Sequence, residues 1–149
     1  MDHVGIIFTS SGGNTEFVIE KVSDVLAQQG LTVTCYRAEV IGIDDLERNE
    51  ALIFAAPTYG VGEIHYHFNG LLKAMKGFDL KGKKCAIISL VDIKYHPEYH
   101  NEGANILTQV IADCHGVLVN RPLRMNGSPV GQEEKVDGWA KEVGESLKD

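Results

Sequence analysis

The sequence is poor in cysteine, in positive charge and in long apolar runs, and each shortage excludes a class of protein. Among 149 residues there are 3 cysteines, Cys35, Cys85 and Cys114, an odd number with no C-x-x-C spacing, so no disulfide framework is expected. Two of them lie in apolar runs, where a thiol acts as a small hydrophobe, and a reduced, cytoplasmic setting follows. Lys and Arg number 14 against 21 Asp and Glu, a net of -7, which disfavours any ligand held mainly by phosphate neutralisation. No nucleic-acid partner is expected. The apolar run from Val4 to Phe8 is too short for a signal core or a membrane span, so no membrane partner is expected either. What is present is ordinary for a globular chain, 44% hydrophobic and 23% charged, and a single domain over 1–149 is the expectation.

Short β-branched apolar runs recur at Val4 to Phe8, Leu31 to Tyr36, Ala51 to Ala56, Cys85 to Leu90, and Gly116 to Val119 continuing past Arg121 to Met125. They predict five buried strands. Between them Asn14 to Gln29 carries Val18, Val22, Val25 and Leu26 on one helical stripe with Gly30 as a stop. Weaker helical patterns cover Ile64 to Met75, Ala104 to Cys114 and Glu133 to Leu147, while Ala38 to Asn49 is polar enough for a single turn. Strict alternation of strand and helix predicts an α/β fold: a doubly wound five-stranded parallel sheet in the order 2-1-3-4-5 with helices on both faces. In such a sheet ligands bind beyond the carboxyl ends of strands 1, 3 and 4, where the winding reverses.

The loop after strand 1, Thr9 to Glu16, is rich in hydroxyls and glycine and opens directly into a helix. Free N–H groups and the positive end of the helix dipole make it an anion site, with Ser10, Ser11 and Thr15 as further donors and Gly12 and Gly13 allowing close approach. It has neither the Lys of a Walker A loop nor the G-x-G-x-x-G of a dinucleotide site. Other chemistry is poorly supported. A G-x-S-x-G elbow is absent, His65 and His67 are spaced to diverge on a helix, and Pro97 separates His96 from His100, so neither hydrolysis nor a metal is expected. The acidic pair of a phosphorelay receiver is missing where Phe8, Thr9 and Ser10 stand.

With these features on three successive loops, the chain resembles the flavodoxin family along its whole length, in its short-chain branch. Ser10-Ser11-Gly12-Gly13-Asn14-Thr15-Glu16 is similar to the flavodoxin phosphate loop. Pro57-Thr58-Tyr59-Gly60 is similar to the loop that lays an aromatic side chain on the flavin, and Val91-Asp92-Ile93-Lys94-Tyr95 to the loop whose tyrosine covers the other face. Gly12 and Val91 depart from the usual hydroxyl and glycine, and Tyr99 is the alternative to Tyr95 as the stacking residue.

The resemblance implies FMN as cofactor, held by Ser10, Ser11, Gly12, Gly13, Asn14, Thr15, Thr58, Tyr59, Gly60, Asp92 and Tyr95, with no catalytic residue. It implies that the Gly60 peptide turns its carbonyl toward the reduced ring and stabilises the neutral semiquinone. The expected activity is transfer of single electrons between redox enzymes, by a monomer whose partner proteins present basic docking surfaces. Two alternatives remain open at this point: a small FMN-dependent reductase acting on a quinone-type acceptor with NAD(P)H, and a flavodoxin-like module that has lost FMN.

Overall fold

The first apolar run forms β1 (His3–Phe8), buried from Val4 to Phe8 because both faces of the strand are covered. The computed structural model describes residues 3–9, 13–59, 63–64, 68–91 and 102–148. Helix α1 (Asn14–Gln28) buries Val18, Val22, Val25 and Leu26 on the predicted stripe. It ends at Gly30, whose φ of 88° suits glycine and whose N–H donates to Ala27 O at 3.0 Å. Then come β2 (Thr32–Arg37), α2 (Ile43–Arg48), β3 (Ala51–Tyr59), β4 (Glu63–Ile64) and α3 (Asn69–Met75). The remaining elements are β5 (Lys84–Val91), α4 (Glu102–Asp113), β6 (Val117–Leu118), β7 (Leu123–Asn126) and α5 (Glu133–Lys148).

The parallel sheet runs β2-β1-β3-β5-β6, with β7 continuing the last position beside β5. This is the doubly wound order expected from the strand and helix alternation. One core, on the α1 and α5 side, gathers Val4, Ile6, Phe8, Val22, Leu26, Trp139 and Val143; the other, under α2, α3 and α4, gathers Ile7, Phe54, Leu46, Phe68, Leu71 and Leu107. Each such side chain moved fully from water contributes on the order of 1.5–3 kcal/mol, so both helical layers are held by burial.

Three local expectations change. The fifth strand is divided, since Pro122 has no N–H for a ladder and the Arg121 carbonyl instead accepts Trp139 Nε1 at 2.8 Å. Strand β3 runs on to Tyr59, so Thr58 and Tyr59 end a strand rather than begin a loop. Glu63 and Ile64 then pair antiparallel with Tyr59 and Thr58, so the helix expected from Ile64 starts only at Asn69. In α2, the Asp45 carboxylate accepts the Gly42 N–H at 3.1 Å and fixes the helix start.

Candidate functional site

Parallel pairing sets the carboxyl ends of β1 and β3 side by side, with Phe8 in register with Ala55. Just beyond β1 the Thr9 N–H donates to Ala55 O at 3.3 Å, extending the ladder by one bond. From Ala55 to Tyr59 strand β3 continues for four residues, which at about 3.3 Å each carries it roughly 13 Å past the end of β1. Because β2 lies on one side of β1 and β3 on the other, this step is the reversal of winding, and the crevice it leaves is the place for a ligand.

The start of α1 forms one wall. Gly13 is its N-cap, at φ 84°, a left-handed conformation in which an L side chain would be strained, and as glycine it brings no side chain of its own to cap the helix. The N–H groups of the first turn have no intrahelical acceptor, so they and the helix dipole offer an anion several oriented donors. Gly13 and Asn14 are exposed, whereas Thr15 is buried at 2% exposure on the inner side of the first turn. Charge here is balanced: Arg37 lies with its guanidinium 5.1 Å from the Phe8 ring centroid and 3.4 Å from Glu16, leaving the donors of α1 unopposed by a free carboxylate at that position.

Of the residues expected to hold a ligand, the structure brings together Gly13, Asn14 and Thr15 on the α1 wall and the backbone of Thr58 and Tyr59 on the β3 wall. Ser10, Ser11, Gly12, Gly60, Asp92 and Tyr95 lie outside the described residues. Thr9, just past the end of β1, is not among the expected residues. It is 0% exposed, and its hydroxyl has no hydrogen-bond partner among the described residues. The signal was a polar residue closing an otherwise apolar buried run, Ile6-Ile7-Phe8-Thr9.

Among the described residues no cluster of His, Cys, Asp or Glu could hold a metal ion, and no helix is long and apolar enough to cross a membrane.

The flavodoxin sequence profile matches residues 6–139, a span from within β1 to Trp139 of α5. This chain belongs to the flavodoxin family. It is 22% identical over 145 residues to the flavodoxin of Maridesulfovibrio salexigens, covering 95% of this chain and 97% of that one. Oxidised flavodoxin 2 from Bacillus cereus superposes with a TM-score of 0.90 at 23% identity, over 96% of this chain and 98% of the other. The Fusobacterium nucleatum flavodoxin bound to flavin mononucleotide superposes with a TM-score of 0.76 at 19% identity, over 99% and 96% of the two chains. The flavodoxin fold is thus shared over nearly the whole chain.

Proposed function

We propose that this member of the flavodoxin family binds FMN in the crevice between β1 and β3 and carries single electrons between redox proteins. The observation that carries the reading is the α1 N-terminus, begun by a left-handed glycine without a capping side chain of its own and placed at the winding reversal. The residues present fit FMN. A terminal phosphate matches the first-turn donors with Gly13, Asn14 and Thr15. When bound, FMN supplies one-electron and two-electron redox chemistry that ordinary side chains lack. The chain's own part would be to hold and orient the cofactor: Ser10, Ser11, Gly12 and Thr15 would serve the phosphate, and Thr58, Tyr59, Gly60, Asp92 and Tyr95 the ring. Tyr59 and Tyr95 would exclude water from the ring faces, each contact contributing about 1 kcal/mol beyond burial.

Carrier and enzyme differ in one readily measured property. Loaded with FMN, the protein should not oxidise NADH or NADPH on its own, and should do so only when a separate reductase is added. Robust nicotinamide turnover by the isolated protein would overturn the carrier reading.

The partners proposed are redox proteins with basic docking surfaces, met by a monomer in the cytoplasm. The net charge of -7 supports this, as do Glu20 and Asp24, which edge a groove of about 310 Å³ along α1 and β2. A monomer is supported at the far sheet edge, where Lys135 Nζ donates to Arg124 O at 2.6 Å and Trp139 covers the Arg121 carbonyl, occupying acceptors another strand would need. A cytoplasmic setting is supported by three free cysteines. Electron exchange with a basic acceptor protein should slow as salt shortens the Debye length below about 10 Å.

A further inference from the structure

We propose that the pocket at the amino-terminal edge of the sheet, at the opposite end from the β1 and β3 crevice, binds a compact polyanion of the oligophosphate class through Lys81, Lys83 and Lys148. Parallel pairing brings the strand starts together there, with Val4, Ala51 and Lys84 in register. Strand β3 runs from Ala51 to Tyr59, so the two ends of the sheet stand roughly 26 Å apart. The pocket encloses about 450 Å³ and is lined by the buried Val4, Ala51, Leu80 and Leu147 and by four lysines against a single carboxylate, Glu50, among the described residues. The net charge of -7 is an average over the whole chain, and carboxylates more than about 10 Å away are screened.

The lysines are held but not neutralised. Lys84 Nζ donates to Ser146 O at 2.8 Å, which ties the end of α5 to the sheet and commits this lysine to the fold. Lys83 Nζ donates to the Glu47 carbonyl at 3.3 Å, a neutral acceptor that leaves its charge uncompensated. Among the described residues no carboxylate lies within ion-pair distance of Lys81, Lys83 or Lys148. Glu50 accepts the His3 N–H at 3.0 Å, and the neighbouring Asp79 accepts the Lys81 N–H at 2.8 Å and faces His115 Nδ1 at 3.3 Å.

Lys81 carries an independent sign of function. The Lys83 N–H donates to Leu80 O at 3.0 Å and closes a four-residue turn whose central residues, Lys81 and Gly82, have φ of 54° and 77°. Such a turn favours Asn, Asp or Gly at its first central position, and a long side chain is strained there. The strain is kept at a lysine that lines the pocket, although Asn would serve the turn better. No arginine lines the pocket, so it offers no planar fork for a carboxylate; lysines are point charges that suit the densely charged oxygens of linked phosphates.

The full chain, saturated with FMN so that the start of α1 is filled, is titrated with tripolyphosphate by calorimetry while flavin fluorescence is followed. Tripolyphosphate should bind about tenfold or more tightly than orthophosphate or a hexaglutamate peptide, and more weakly as salt rises. Lys148→Gln should weaken it about tenfold, as for the loss of a hydrogen bond to a charged group. Lys81→Asn should weaken it by a similar factor and yet raise the thermal midpoint measured without tripolyphosphate, because Asn relieves the turn. A lysine serving only the fold would lower that midpoint when replaced. No binding of tripolyphosphate, equal binding of orthophosphate or hexaglutamate, parent affinity in either lysine variant, a lowered midpoint in Lys81→Asn, or release of FMN by tripolyphosphate would each overturn the site. A chain that takes up no FMN but binds tripolyphosphate through Lys81 and Lys148 would refute the flavin reading alone.

Discussion

Gly5 and Asn49 are packed so closely that a Cβ at Gly5 would stand 2.9 Å from Asn49 Cγ and Nδ2. Asn49 is 3% exposed, and its Nδ2 donates to Asp45 O at 2.8 Å and to the Tyr36 hydroxyl at 3.1 Å, tying the end of α2 to β2 across β1. Gly5→Ala should displace this amide and destabilise the fold by about 1–3 kcal/mol, read as a lowered urea midpoint. Asn49→Ala should cost a similar amount by removing the bonds. In the double variant the smaller side chain at position 49 leaves room for the new methyl, so the combined loss should fall short of the sum; strict additivity would show that the two positions do not compete for space.

Thr15→Ala tests the α1 wall. Thr15 lies in the first turn of α1, so losing its hydroxyl should weaken FMN by about 1–3 kcal/mol, as for a hydrogen bond to a charged group, while riboflavin scarcely changes. Parallel titrations with the two flavins give the comparison. An equal loss for both would move Thr15 from the phosphate to the rest of the ligand.

Ring stacking is tested at Tyr95 with Tyr99 as the control. Tyr95→Ala should loosen FMN and raise the potential of the last reduction step, because water then reaches the ring and solvates its negative charge. Potentiometric titration checks this. If Tyr99→Ala has the effect and Tyr95→Ala has none, the stacking residue is Tyr99.

The three thiols should separate cleanly by accessibility. Cys35 is exposed on β2, whereas Cys85 is 0% and Cys114 4% exposed, and burial pushes the Cys85 thiol up to about 12 and raises that of Cys114. At pH 8 a disulfide reagent should label one thiol per chain quickly and all three only after unfolding. The same shift has a sign for stability: an unfolded thiol ionises at about 8.5, while folded Cys85 keeps its proton to about 12. Above the lower value the unfolded chain alone gives up this proton, so stability is lost as pH rises through that window. Urea midpoints measured from pH 8 upward should fall; a rise would contradict this assignment of the buried thiol.

The strand order and the two helical layers were readable because burial on both faces leaves unbroken apolar runs, and Val18, Val22, Val25 and Leu26 could occupy one side of only a helix. The end of β3 was not, since the helical spacing from Ile64 to Met75 hid a competing hairpin signal, two glycines between Tyr59 and Glu63. The break in the last strand rests on a single proline and on a tryptophan from a distant helix taking the Arg121 carbonyl, a tertiary contact with no local trace. At the site, the density of hydroxyl and glycine around Gly13 reads as an anion loop, of which Ser10, Ser11 and Gly12 lie outside the described residues. The burial of Thr9 was not legible, because a threonine followed by two serines reads as the exposed start of a loop.

If the crevice at the end of β1 is built for a flavin ending in a phosphate, the flavin-free chain must tell FMN from riboflavin when titrated with each. One equivalent of FMN should bind, with riboflavin at least a hundredfold weaker, on the order of the 2.7 kcal/mol that two tenfold steps represent. Equal affinity for the two flavins, or no binding of FMN, would contradict a phosphate site at the start of α1.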